Sequence, residues 1–504
     1  MSTTADSARI DPGWLDADPA PQIIDGEERR DGQLHDIVDP STGEVIGAWT
    51  EATERDLDDA LAAARRSFDE GVWSRMAVAR RAEVLDAISL RIREETRTLA
   101  ALEALETGKP MMGAITYDMY EAANLFAYAA GLCRDLHGST RRTTFPPDLL
   151  PGGGPELLNL SFGEPAGVVA EMLPWNAPMF TGSERIAAAL AAGCSIVAKP
   201  AEEANLSPVR LARIALECGL PPGVLNLVLG PGETVGERLI SDPRVDLISL
   251  TGGVETGRHV LALAAKNLTP VSLELGGKAP VIVFDDADLA NAIPWAMMAA
   301  FVNMGQVCIS GSRLLVHESV YDDVVNGVAG AAASLPIGDA LDAETFIGPL
   351  VSERHADRVR GFRDRALASG DAERVGEASD RDFPTAAFVA PSVLGRTRPG
   401  SEIEQQEVFG PILVAQSFSS EEEAIARANA TQYGLNATMF TRDIERAFRV
   451  ADQLQCGEVD VNVHFTPLIA AGRGEPRKSS GLSKRGLEGY QVSKAINIQI
   501  RSSL

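Results

Sequence analysis

The sequence predicts an α/β protein with two α/β domains, the first of them Rossmann-like, and a small β arm. Three observations carry this. From residue 167 onward, over roughly 120 residues, short apolar runs alternate with helical segments, as in a parallel sheet with crossover helices. A second alternation runs from about 276 to 462. Two extended polar segments, 140–163 and 492–500, stand outside both patterns, and the second alternates apolar and polar as an edge strand does. A chain of 504 residues has room for two or three such units.

The elements follow in order. Residues 1–22 are acidic and proline-rich, without the basic start and apolar core of a signal peptide. They are expected to form a flexible arm, and the chain is expected in the cytoplasm. Thr53 and Asp56 resemble a capping pair for a helix over 53–68, with Leu57, Leu61, Ala64 and Phe68 on one face. Leu85, Ile88 and Ile92 mark a second helix, and 117–131 a third. Strands are expected at 167–171, 195–199, 224–229, 246–250, 271–275 and 281–284. Ser207 and Pro208 read as the N-cap and first-turn proline of a helix that Gly219 closes. Later helices are expected near 353–367 and 444–455.

Composition narrows the function. The chain is 45% hydrophobic and 23% charged, ordinary for a globular protein. No run of eighteen apolar residues occurs, so no membrane-spanning helix is expected. A formal net charge of -25 would repel nucleic-acid phosphates. The five cysteines include no CxxC pair and the six histidines show no metal spacing, so reduced thiols and no metal are expected. Cys194 and Cys218 lie in apolar runs and are expected in the core.

Cys308 differs from the other cysteines. It follows Gly305-Gln306, a pair that suits a tight entry into a helix whose N-terminal amides would lower the thiol pKa. A thiolate attacks carbonyl carbon, and the adduct can expel hydride to a nicotinamide or a leaving group to water. Such chemistry needs an oxyanion hole and a base. Glu274, in Glu274-Leu275-Gly276-Gly277-Lys278, ends an expected strand, where open α/β sheets face their ligands. Asn176 stands in Leu173-Pro174-Trp175-Asn176-Ala177-Pro178, between two stiffening prolines, and its amide is a candidate oxyanion donor. Lys199 and Glu202 close another strand, where both can reach ribose hydroxyls. A carboxylate there would repel a 2′-phosphate and so favours NAD over NADP. Gly252-Gly253, and the turn with Gly232 and Gly236, would let a pyrophosphate approach backbone amides.

Together these stretches resemble the NAD(P)-dependent aldehyde dehydrogenase superfamily, from about His35 to Ile500 and with the segments in the family's order. Gln306-Val307-Cys308, the Glu274 box, Pro174-Trp175-Asn176, Lys199-Pro200-Ala201-Glu202 and Glu407-Val408-Phe409-Gly410-Pro411 carry the likeness. The resemblance implies that Cys308 forms a thiohemiacetal and then a thioester, and that Glu274 activates water to hydrolyse it. Asn176, with the Cys308 amide, would hold the oxyanion. Leu173, Pro174 and Trp175 would line the cofactor cleft, Lys199 and Glu202 would hold the adenosine ribose, and Gly232, Gly236 and Gly253 would flank the pyrophosphate. Glu407 would bind the nicotinamide ribose, and Phe409 would pack near the nicotinamide.

The implied architecture is an NAD-binding domain (23–139 and 164–275), a catalytic domain (276–474) and an oligomerisation arm (140–163 and 475–504). Partners would be a small-molecule aldehyde and further copies of the chain, as homodimer or homotetramer, with neither nucleic acid nor membrane. The sequence departs from the family at Arg473–Ser480, where a usual double glycine is missing, at Gly253, where serine is common, and at Arg185, where lysine is common. Two other readings compete: an acylating relative that passes the acyl group to coenzyme A, and a non-catalytic protein that keeps the fold. Glu274 argues against the first. The intact set Cys308, Glu274 and Asn176 argues against the second.

Overall fold

The computed structural model describes residues 18–135, 137–144, 155–377, 383–466, 474–484 and 486–501. Residues 1–17 of the expected N-terminal arm, 145–154 of the expected β arm and Arg473 lie outside the described residues.

The first sheet has five parallel strands at its centre, in the spatial order Leu225–Leu227, Ser195–Lys199, Val168–Met172, Leu247–Thr251, Val271–Glu274. In chain order this is 3-2-1-4-5, the doubly wound arrangement, with its switch point between Val168–Met172 and Leu247–Thr251. The central strands are almost wholly buried, as befits a parallel sheet covered by helices on both faces. Gln22–Ile24 and Glu27–Arg29 extend one edge, and Gly481–Leu482 pairs antiparallel with Val271–Glu274 at the other. The described end of the expected flexible arm is therefore packed: Ala20 bridges Trp49, and Gln22 is buried at the head of a strand paired on both sides.

The second sheet has seven strands. Pro280–Val283 and Arg313–His317 lie side by side near its middle, flanked by Ile412–Phe418 and Asn436–Phe440. A third, smaller sheet joins Gln491–Arg501 to Glu156–Pro165 and Gly138–Thr144, all antiparallel.

The expected helices form, with instructive differences. The Thr53–Asp56 capping box opens Glu54–Glu70 with both reciprocal bonds present. The third helix begins with a π-helical stretch, Ala114–Met119, before Tyr120–Arg134. Ser207 is not an N-cap. The helix starts at Leu206 with Asn205 as cap, and the side chain of Glu106 accepts the Asn205 and Leu206 amides instead. A distant carboxylate thus replaces the local cap. Cys194 is fully buried, but Cys218 ends its helix and is only partly buried. Among the described residues no helix is long and apolar enough to cross a membrane, and no cluster of metal-ligating residues occurs.

Candidate active site

The site forms where the switch point of the first sheet meets the second domain. The strand Val168–Met172 ends there, and Leu173–Asn176 leads into the helix Pro178–Ala192, which opens on a proline. Asn176 Nδ2 donates to the Gln306 carbonyl at 2.8 Å, two residues before Cys308. In return, Asn303 Nδ2 donates to the Asn176 carbonyl at 2.9 Å. The amide of Asn176 is thereby fixed against the cysteine loop with a second N–H to spare.

Cys308 does not enter a helix. It lies in a turn between the 3-10 segment Val302–Gly305 and the strand Arg313–His317. Asn303, Met304 and Gly305 all have positive φ (49°, 54° and 68°), which turns the chain sharply before the cysteine. The cysteine's own segment therefore offers the thiol no helix N-terminus. The Gln306 side chain ties the loop down by accepting the Val351 amide at 3.1 Å.

The double glycine after Glu274 has a steric cause. A Cβ at Gly277 would lie 2.1 Å from the Cys308 carbonyl oxygen, and one at Gly276 would lie 2.2 Å from Glu407 Oε2. The two glycines are the surfaces on which the cysteine loop and the Glu407 carboxylate close. Glu407 Oε1 also accepts the Gly277 amide at 2.8 Å. Burial pushes the Glu407 carboxyl up to about 7, against that hydrogen bond and the charges of Lys278 and Arg358. Lys278 is pushed down to about 7, first by burial and then by Arg313, with Glu407 opposing.

Glu274 ends its strand at 8% exposure. It accepts a short hydrogen bond from the Ser483 hydroxyl, and Arg185 Nη2 stands 3.8 Å from its Oε1. Ser483 belongs to the segment beyond Ser480, which is strapped down by Ser480 Oγ donating to the Gly276 carbonyl at 2.8 Å. The altered 473–480 region thus leads directly onto the glutamate.

Several of the expected cofactor residues meet in pairs. Glu202 Oε1 accepts the Gly232 amide at 3.1 Å, joining two separate motifs. The Lys199 stem passes 3.7 Å from where a Gly236 side chain would begin. Burial lowers the Lys199 pKa, opposed by Glu202, Glu203 and Glu233. Gly253 is the N-cap of the helix Val254–Ala264 and, having no side chain, leaves the first amides of the helix without a side-chain cap. Trp175 meets Phe409 edge-on at 5.4 Å, and Phe409 holds a positive φ of 59°. A carboxylate beside a glycine turn, a glycine-capped helix and an edge-on aromatic pair are groups that a dinucleotide can use.

Several participants escaped sequence reasoning. His355 packs edge-on to Trp175 and bonds the Phe409 carbonyl at 2.7 Å. Arg358 donates to the Val408 and Glu407 carbonyls at 2.8 and 2.9 Å, fixing the loop that presents Glu407. Neither stands in a recognisable motif.

Comparison with known proteins agrees with this geometry. The model of the aldehyde dehydrogenase family matches residues 27–499. Betaine aldehyde dehydrogenase of Bacillus subtilis (strain 168) is 39% identical over 482 residues, covering 94% of this chain and 96% of the relative. A peroxisomal aminoaldehyde dehydrogenase of Pisum sativum is 36% identical, covering 91% of each chain. Among solved structures, betaine aldehyde dehydrogenase from Staphylococcus aureus in complex with NAD+ has a TM-score of 0.91 and 37% identity, covering 97% of this chain and 96% of that one.

Proposed function

We propose that this chain, which belongs to the aldehyde dehydrogenase family, oxidises an aldehyde to a carboxylic acid with NAD as hydride acceptor and water as acyl acceptor. The observation that supports it is that Asn176 donates to the Gln306 carbonyl two residues before Cys308, while Gly277, three residues after Glu274, packs against the Cys308 carbonyl. Cys308 Sγ attacks the aldehyde carbon, and the Asn176 amide stabilises the resulting oxyanion. NAD, when bound, takes the hydride that leaves the thiohemiacetal. Glu274 then removes a proton from water, which attacks the thioester carbon and releases the acid and the thiol.

Lys199, Glu202, Gly232, Gly236 and Gly253 would hold the adenosine half of the cofactor. Trp175, Leu173, Pro174, Glu407 and Phe409 would hold the nicotinamide half. The relatives named for betaine and amino aldehydes support extending to this chain the class of aldehydes that carry a cationic nitrogen. The strand Gln491–Arg501, with Val492, Ile496, Ile498 and Ile500 exposed, supports pairing of the arm with a second copy. The reduced thiols support a cytoplasmic setting.

The reading is tested by NADH formation from a panel of cationic, aliphatic and aromatic aldehydes, with and without coenzyme A. Turnover without coenzyme A, with the highest kcat/KM on a cationic aldehyde, is expected. Strict dependence on coenzyme A would replace hydrolysis with acyl transfer.

A further inference from the structure

A second carboxylate is buried behind the first. Glu171 pairs in register with Ser249, and Ser249 with Ser272. Side chains alternate along a strand, so Glu274, two residues beyond Ser272, shares the sheet face of Glu171. Glu171 has no exposed surface. Its Oε2 accepts from the Tyr490 hydroxyl at 3.0 Å, and that hydroxyl lies 3.3 Å from Ser249 Oγ. Tyr490 itself comes from the turn Gly486–Tyr490, 319 residues further along the chain than Glu171.

Arg185, buried on the helix Pro178–Ala192, stands 3.8 Å from Glu274 Oε1 and, without pairing with Glu171 directly, also exerts its charge on that carboxylate. Burial opposes its charge, but the carboxylates of Glu184, Glu274 and Glu171 raise its pKa. Among the described residues, Arg185 Nε and Glu171 Oε1 have no hydrogen-bond partner. The charged or titratable groups around the cluster are Glu184 beside Arg185, Tyr490 from the C-terminal turn and Glu274 from the strand end. Ser249 and Ser483 contribute neutral hydroxyls.

We propose that Glu171, buried on the sheet face that carries Glu274, is a positioning residue for deacylation: its charge competes with Glu274 for Arg185 and so sets how tightly Arg185 holds the base. The proposal rests on Glu274 being the deacylating base. When Glu171 is ionised, it competes with Glu274 for the charge of Arg185 and adds a second negative charge on the same sheet face. Both effects make Glu274 more basic. When Glu171 is neutral, Arg185 leans on Glu274 alone and weakens it as a base. Burial pushes Glu171 up to about 7, against Arg185 and the hydroxyls of Ser249 and Tyr490. The switch between the two states therefore falls in the neutral range.

The test follows decay of the acyl-enzyme by mass after a single turnover of the full chain, from pH 6 to pH 8.5. For Glu171→Gln the decay rate should match the parent's near pH 6 and fall about threefold below it by pH 8. The NADH burst should be unchanged. Tyr490→Phe removes a donor to the carboxylate, so the parent's rise in rate should move to higher pH. That second variant decides the matter if Glu171→Gln does not fold. A ratio of variant to parent that is constant with pH, or a Tyr490→Phe profile superimposed on the parent's, would overturn the proposal. Undiminished acyl-enzyme decay in Glu274→Gln would instead overturn the assignment of the base.

Discussion

The Cys308 carbonyl occupies the space beside Gly277 in which a side chain would start: a Cβ there would lie 2.1 Å from that oxygen. The nucleophile's loop and the strand end that carries Glu274 are thus seated on each other through one missing methyl group. Gly277→Ala should push the cysteine loop away and lower kcat/KM roughly 100-fold, the scale of a 1 Å misplacement. Cofactor affinity, measured by fluorescence titration with NAD, should change little. Near-normal turnover would mean that the loop can yield.

Asn176 reaches the same loop through the Gln306 carbonyl at 2.8 Å. Asn176→Ala should lower the rate of the NADH burst about 100- to 1,000-fold, the usual effect of removing one oxyanion donor. Stopped-flow absorbance at 340 nm reads this directly. Asn303→Ala frees the Asn176 backbone from its 2.9 Å restraint and should lower the burst rate by a smaller factor.

Glu202 accepts the Gly232 amide at 3.1 Å, and the proposed function sets this carboxylate against a ribose 2′-phosphate. Glu202→Gln should raise the ratio of kcat/KM for NADP to that for NAD by about tenfold, worth about 1.4 kcal/mol. An unchanged ratio would place the discrimination elsewhere.

Glu106 caps the helix Leu206–Glu217 from a distance, and burial pushes its carboxyl from an ordinary 4.5 up to about 8 despite the backbone amides it accepts. Between those two values the folded chain binds more protons at this group than the unfolded chain does. Its contribution to stability is therefore complete below pH 4.5 and is lost as pH rises towards 8. Glu106→Gln should remove this dependence. Thermal denaturation from pH 5 to pH 8 should show the parent's Tm falling relative to the variant's.

Much of the site was legible because its chemistry is written in short local stretches. The strand ends at Met172, Lys199, Thr251 and Glu274 follow from alternation of apolar runs with helices, and the doubly wound order puts them at one edge. The Gly276-Gly277 pair was visible as a motif, but its reason is tertiary: the atoms that exclude a side chain belong to Glu407 and Cys308. The misreadings have the same origin. Ser207 looked like a cap because a local pattern cannot reveal Glu106 arriving from another helix. Cys308 looked like a helix entry because the left-handed backbone at Asn303 and Met304 has no compositional signature. The contacts of Glu274 with Ser483 and Arg185, and of Glu171 with Tyr490, join residues far apart in the chain.

The central claim is that Cys308 carries the acyl group and Glu274 hands it to water. Intact and peptide mass of Glu274→Gln after incubation with aldehyde and NAD tests this most directly. One acyl group per chain should appear, on the peptide containing Cys308, together with one burst of NADH and almost no further turnover. An unmodified Cys308 peptide, or steady turnover at the parent's rate, would contradict the account.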